Sequence, residues 1–281
     1  MNRLILSLLL LVSTVAAAAQ TPRIISAGGS ITEILFALEK QHLLVATDNT
    51  STYPQAAAAL PKLGYFRQLS VEGVLSYQPS LLIGAQGTGP ESLASQLTAA
   101  GVKVVITNEQ RDRQGLRHLI SEIGQLVDAT AQAEALNKAL EQQVSNLINQ
   151  ANWQQDIRGL FVLSGGERGL TVAGGNTVPQ ALFDDARLHN IAAGMRDYKI
   201  IANESVLLAN PDVIFVAGHN IRSEQDRLAL CQHPAIKATN AGRHCRLIGM
   251  SSSYSLGLSP RYPQALKIMI DSAQQVQADG R

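Results

Sequence analysis

Between Gly124 and Gly159 the chain holds no glycine and no proline. Those are the two residues that break helices most readily. Within this run Leu136, Leu140, Val144 and Leu147 recur at helical spacing, with Ala133 and Ile148 beside them. One side of such a helix is apolar along its whole length. The spacing predicts one long amphipathic helix of about seven or more turns, set between two folded halves. A crossover helix is the plainer reading. The length and central position fit better with a rigid strut joining two lobes.

Both flanks support that arrangement. Before the strut, apolar strands are expected at Arg23–Ala27, Leu43–Thr47, Ser80–Gly84 and Val102–Ile106. Helical runs separate them at 31–38, 90–100 and 111–126. After it, strands are expected at Gly159–Leu163, Asp212–Val216 and His244–Ile248, with helices at 177–186 and 260–276. Continuous apolar strands alternating with helices indicate parallel sheets covered on both faces. The expected fold class is α/β: two Rossmann-like lobes with mostly parallel sheets, joined by one long backbone helix. The divisions are 21–126 for the N-terminal lobe, 127–156 for the linking helix and 157–281 for the C-terminal lobe. An internal repeat agrees. Ser70-Val71-Glu72-Gly73-Val74-Leu75 aligns with Ala202-Asn203-Glu204-Ser205-Val206-Leu207, and Pro79 then meets Pro211. Each half thus places a glutamate, Glu72 or Glu204, in the first turn of a short helix that feeds a strand. A carboxylate there favours its helix dipole by about 0.3–1 kcal/mol. That does not explain why both halves carry it.

Residues 1–20 read as a cleaved secretory signal peptide. Arg3 supplies a positive charge, Leu4–Val15 is almost wholly apolar, and Ala17-Ala18-Ala19 fits a cleavage site before Gln20 or Thr21. The apolar run is too short for a membrane span, and no cysteine offers a lipid anchor there. The bacterial periplasm is the simplest destination. In such an oxidising space Cys231 and Cys245 are expected to pair. A zinc site with His233 and His244 is the weaker reading, because zinc wants about four ligands. The net charge of +1 and pI near 7.8 give no sign of nucleic-acid binding. A hydrolase is disfavoured because the chain has no Gly-x-Ser-x-Gly elbow. The protein is not expected to be an enzyme.

Tyr65 and Arg67 stand two residues apart in a loop that follows Gly64. In an extended loop they would face the same side. The guanidinium would then favour the ionised phenol. A phenolate is one of the groups that hold ferric haem. The six histidines show no metal-ligand spacing. His219 follows Gly218 at the end of a predicted strand, where ligand loops of α/β sheets lie, and could line a cleft with Asn220 and Arg222. Gly28-Gly29-Ser30 and Gly174-Gly175-Asn176-Thr177 read as tight turns with helix caps rather than anion sites.

Several segments together carry a family resemblance. They are Arg23-Ile24-Ile25-Ser26-Ala27-Gly28-Gly29-Ser30, Thr50-Ser51-Thr52-Tyr53-Pro54, Leu63-Gly64-Tyr65-Phe66-Arg67-Gln68-Leu69-Ser70 with Glu72-Gly73-Val74-Leu75, and Ser259-Pro260-Arg261. On these the chain resembles the periplasmic haemin-binding proteins of bacterial haem ABC importers. These belong to the helical-backbone group that also holds cobalamin and ferric-siderophore binders. The resemblance implies haem as the transported ligand, with Tyr65 as axial tyrosinate to the iron. It implies that Arg67 steadies the phenolate or touches the porphyrin edge. It implies that Glu72 and Glu204 dock on an inner-membrane ABC permease dimer with its ATPase, and that the protein works as a monomer. Arg222 is then a candidate partner for a haem propionate. Some members bring a histidine from the start of the second lobe to the iron. Here Phe161–Leu170 holds none. A cobalamin or ferric-siderophore carrier of the same fold is the alternative.

Overall fold

A computed structural model describes residues 21–107, 110–166 and 169–279. The expected signal peptide, residues 1–20, lies outside the described residues. The first lobe runs β1 (Ile24–Ala27), α1 (Gly29–Ala37), β2 (Leu44–Thr47), α2 (Gln55–Ala58), α3 (Val71–Leu75), β3 (Leu81–Gly84), α4 (Leu93–Ala99), β4 (Lys103–Ile106) and α5 (Arg113–Leu126). The linking helix is α6 (Thr130–Ile148). The second lobe opens with β5 (Arg158–Gly166), β6 (Gly169–Ala173), α7 (Val178–Asp185), β7 (His189–Asn190) and β8 (Tyr198–Ala202). It continues through α8 (Asn203–Ala209), β9 (Val213–Ala217), α9 (Glu224–Cys231), α10 (Asn240–Arg243), β10 (Leu247–Met250), α11 (Ser252–Ser255) and α12 (Tyr262–Asp279).

The first sheet has the order β2-β1-β3-β4 and is wholly parallel. The second has the order β10-β9-β5-β6-β8, with β7 beside the start of β5. Its β6 is antiparallel to both neighbours, so β8 runs in the same sense as β5. The hairpin β5–β6 and the strand β8 were not expected from the sequence. Gly165 and Gly166 there extend a long strand rather than end it.

The linking helix is shorter than expected. It spans 19 residues, roughly 28 Å at 1.5 Å per residue, about five turns rather than seven. Asp128 adopts φ 51°, which turns the chain sharply between α5 and α6. Aspartate tolerates that left-handed conformation better than most residues. The two helices pack so closely that a Cβ on Gly124 would lie 2.6 Å from the Cβ of Ala133. Beyond Ile148 the chain leaves helical geometry because tertiary contacts claim it. Trp153 donates to the Ala186 carbonyl at 2.8 Å, and Arg187 donates to the Ala151 carbonyl at 3.1 Å.

One face of each sheet contributes to a single apolar core. Ile31, Leu35 and Ile120 of the first lobe join Leu140 and Val144 of α6 and Phe161, Phe183 and Met269 of the second. The opposite faces have cores of their own. Two polar contacts then pin lobe to lobe. Glu33 on α1, only 4% exposed, accepts Arg261 Nε at 2.9 Å and is also bonded by Arg261 Nη2 and the Ser259 hydroxyl. The Arg261 guanidinium stacks 3.8 Å from the Tyr53 ring centroid and 4.9 Å from that of Tyr254. Asp185 on α7 meets Arg113 Nε of α5 at 3.0 Å and accepts the Tyr262 hydroxyl at 2.8 Å. Burial pushes the Asp185 carboxyl up, and the bonds from Tyr262 and Arg113 oppose that rise.

Breaking a buried pair costs more than never forming it, because one charge is left unpaired. Arg261→Ala should therefore destabilise the protein by about 3 kcal/mol in urea denaturation. The double variant Glu33→Gln/Arg261→Met should lose less than Arg261→Ala.

Candidate functional site

The carboxyl ends of β1, β3, β9 and β10 converge on one cleft between the lobes. Gly28, Ala85, Gly218 and Ser251, each just beyond one of these strands, line it. Its volume is about 890 Å³, at the upper end of the 300–1,000 Å³ typical of small-molecule sites. Leu163, Val178, Leu256 and Leu258 supply apolar wall.

The first-lobe wall is built on Asp48, which is buried. Its carboxylate accepts the Gly28 amide at 2.9 Å, the Ser51 hydroxyl at 2.7 Å, and the Thr50 amide and hydroxyl at 2.9 and 2.6 Å. Thr50 in turn accepts the Gly29 amide at 2.9 Å. The amides of the Gly28-Gly29 turn are thus spent inside the protein. The same holds for Gly174 and Gly175, whose amides go to the Asp197 and Met195 carbonyls. Both turns are structural, as the sequence suggests.

Tyr65 is extended (φ −79°, ψ 129°), but Phe66–Gln68 forms a single 3₁₀ turn. The expectation that Tyr65 and Arg67 lie side by side on an extended loop therefore fails. Both line the cleft, yet the Phe66 ring stands between them. It meets the Tyr65 ring edge-on at 4.9 Å and the Arg67 guanidinium at 4.8 Å. The Tyr65 phenol is 44% exposed. Arg67 lies against Gly87, where a Cβ would fall 2.1 Å from Nη1.

Two cleft residues escaped the sequence reading. Arg111 crosses between the lobes, donating to the Asn176 carbonyl at 3.1 Å and to Asp197 Oδ1 at 3.3 Å. Tyr198 is a second phenol in the wall. Burial chiefly pushes its pKa up to about 12, against the opposing charge of Arg111, so it stays protonated. Nothing in the local sequence marks either residue, since the partners of each lie far along the chain.

His219 lines the cleft as expected, whereas Arg222 is not among its lining residues. Arg222 Nε instead donates to the His219 carbonyl at 3.3 Å. Glu72 and Glu204 are both exposed, in the first turns of α3 and α8. Cys231 and Cys245 form a disulfide with Cα atoms 5.5 Å apart, so neither serves as a zinc ligand. No cluster of metal-ligating side chains occurs among the described residues.

Residues 24–254 match the periplasmic binding protein family. Among solved structures the chain is similar to the periplasmic heme-binding protein RhuT from Roseiflexus sp. RS-1, at 32% identity and a TM-score of 0.86, covering 92% of this chain and 99% of that one. It is similar to the periplasmic heme-binding protein HutB of Vibrio cholerae, at 31% identity and a TM-score of 0.78, covering 92% and 98%. A vitamin B12-binding protein of Vibrio parahaemolyticus serotype O3:K6 is 24% identical over 221 residues, 78% of this chain and 79% of that protein.

Gly87 has φ +84°, a conformation that favours glycine. Gly87→Ala should cost about 1 kcal/mol in thermal unfolding and displace the Arg67 side chain in a crystal structure. Arg67→Ala, at an exposed position, should stay within about 0.5 kcal/mol of the unaltered protein.

Proposed function

The chain belongs to the periplasmic binding protein family, and from that premise we propose that it captures haem in the periplasm and delivers it to an inner-membrane ABC permease. The observation that carries this reading is an interlobe cleft with an exposed phenol in an otherwise largely apolar wall. A porphyrin offers two large apolar faces, and burying them gains roughly 25 cal/mol per Å². Tyr65 supplies a hard anionic ligand once deprotonated, which favours ferric iron in an oxidising space. Two solved relatives above 30% identity are named as haem binders, which favours haem over cobalamin. The vitamin B12 reading rests on relatives at 24–27% identity, and an exposed phenol has no evident task in it.

Arg67 and Arg111 are the cations nearest to hand for the ligand's carboxylates, because both line the cleft. Arg222 is left to steady the His219 loop. No bond in the ligand is made or broken; the work is capture and hand-over. Export through cleavage of residues 1–20 belongs to the same proposal.

Glu72 and Glu204 are proposed to dock on basic residues of a two-fold permease. Their placement favours this. Each sits in the first turn of a helix that runs back to the start of β3 or β9, and the ends of those strands line the cleft. Both glutamates therefore lie toward the end of the lobes where a ligand would leave.

Titration with ferric haemin should give saturable binding with a tyrosinate-type absorption spectrum. Tyr65→Ala should weaken it by more than the roughly 10–100-fold that losing an outer-shell partner costs at a metal site. Saturable binding of cyanocobalamin with none of haemin would overturn the reading. Glu72→Ala/Glu204→Ala should abolish uptake in reconstituted vesicles with haemin affinity unchanged. A loss of affinity in that variant would place the glutamates in the ligand site instead.

A further inference from the structure

Arg111 lines the cleft, but the groups that hold it do not. Its Nη1 donates to the Asn176 carbonyl at 3.1 Å and to Asp197 Oδ1 at 3.3 Å. Arg111 and Tyr198 are wall residues, whereas Asn176 and Asp197 are not. The two acceptors sit on neighbouring turns that brace one another. The Gly174 amide donates to the Asp197 carbonyl at 2.9 Å, and the Asp197 amide donates to the Gly175 carbonyl at 2.8 Å. Asn176 Nδ2 donates to Asp197 Oδ1 at 2.9 Å. Asn176 and Asp197 both adopt left-handed backbone, φ 60° and 59°, which asparagine and aspartate tolerate better than most residues. The acceptor side is thus a fixed platform, and the donor is a long side chain with many rotamers.

The Arg111–Asp197 contact is easy to exchange. At 3.3 Å it is longer than the roughly 2.7–2.9 Å of a strong charge-assisted bond. Both side chains are more than a third exposed, so water screens the pair and its loss costs little. Asp197 also keeps partners when Arg111 leaves. Asn176 still donates to it, and Arg196 Nε lies 3.8 Å from Oδ2. The chemistry of the contact points to what replaces it. A carboxylate on a guanidinium is the pairing that a ligand's own carboxylate would make with the same arginine.

We propose that Asp197 stands in for a ligand carboxylate: before capture it latches Arg111 across the lobes, and a carboxylate of the incoming ligand takes the guanidinium from it. The inference rests on the haem reading, since haem carries two propionate carboxylates. It goes beyond naming Arg111 as a cation near the ligand. It makes Asp197 a positioning residue that sets ligand preference through Arg111. A ligand without a carboxylate cannot draw the guanidinium off the latch and gains nothing from it. Only hydrogen bonds and ion pairs are exchanged, and Arg111 stays charged throughout.

The test is titration of the full mature chain with ferric haemin and, separately, with haemin dimethyl ester, whose carboxylates are blocked. Asp197→Asn keeps the turn, because asparagine accepts the left-handed backbone, and it removes the competing charge. This variant should bind haemin about 3-fold more tightly than the unaltered protein, the scale of an exposed ion pair. Its affinity for the dimethyl ester should not change. Arg111→Gln should weaken haemin binding, and adding Asp197→Asn to it should then gain nothing, because the two residues act as a unit. Haemin affinity that is unchanged or weaker in Asp197→Asn overturns the latch while leaving the haem reading in place. An equal gain with the dimethyl ester overturns it as well. Failure of the unaltered protein to bind haemin removes the haem reading and this inference together. The thermal unfolding midpoint of Asp197→Asn should stay in place, which separates a change in ligand competition from a change in folding.

Discussion

The buried Glu33 carboxylate is the contact on which the cleft most depends. Glu33 sits on the first helix of the first lobe, and all its partners come from the far end of the chain, at Ser259 and Arg261. An unpaired carboxylate at 4% exposure would be costly to bury. The two lobes must therefore meet in one arrangement for the charge to be satisfied. Arg261 is fixed in turn by the rings of Tyr53 and Tyr254, one from each lobe. The apolar core continues through the same junction. Together they make the joint behave like the interior of one domain rather than a loose interface between two. Deformation on ligand capture or release is then drawn from the rim elements, where packing is thinner.

The two walls of the cleft are built differently. On the first lobe a buried aspartate, Asp48, gathers backbone amides and hydroxyls into a closed network, and its loops have little freedom left. Tyr65 projects beyond that network, held through its ring by Phe66 rather than through its hydroxyl. On the second lobe the wall is a 3₁₀ turn and a serine-rich loop, joined by the His219–Ser252 bond. The Cys231–Cys245 disulfide ties the end of α9 to the approach of β10.

Much of this was legible in the residues. The central parallel strands are runs of Ile, Val and Leu buried on both faces, which a sequence displays directly. Tyr65 stood out because it follows Gly64 in a loop, and Glu72 because Glu204 repeats it. The antiparallel strands β6 and β8 were hidden. Their residues are mixed, with Lys199 and Ile200 facing solvent, and their pairing depends on a hairpin and an edge rather than on apolar runs. The linking helix was overestimated because the absence of Gly and Pro permits a helix without requiring one. Asp128 stops it at one end by its left-handed backbone, and beyond the other end Trp153 holds the chain through a contact far along the sequence.

The sequence by itself determined that there would be two α/β lobes on a helical strut, and that one lobe would carry a tyrosine in a loop after Gly64. Those features rest on local periodicity and on residue chemistry that needs no partner to be recognised. Only the tertiary structure decided which side chains share the cleft. It brought in Arg111 and Tyr198, set Phe66 between Tyr65 and Arg67, and kept Arg222 off the wall. The physical reason is the same in each case. Burial, hydrogen-bond direction and side-by-side placement are properties of pairs of groups, and in this cleft most of the pairs join residues that are far apart in the chain.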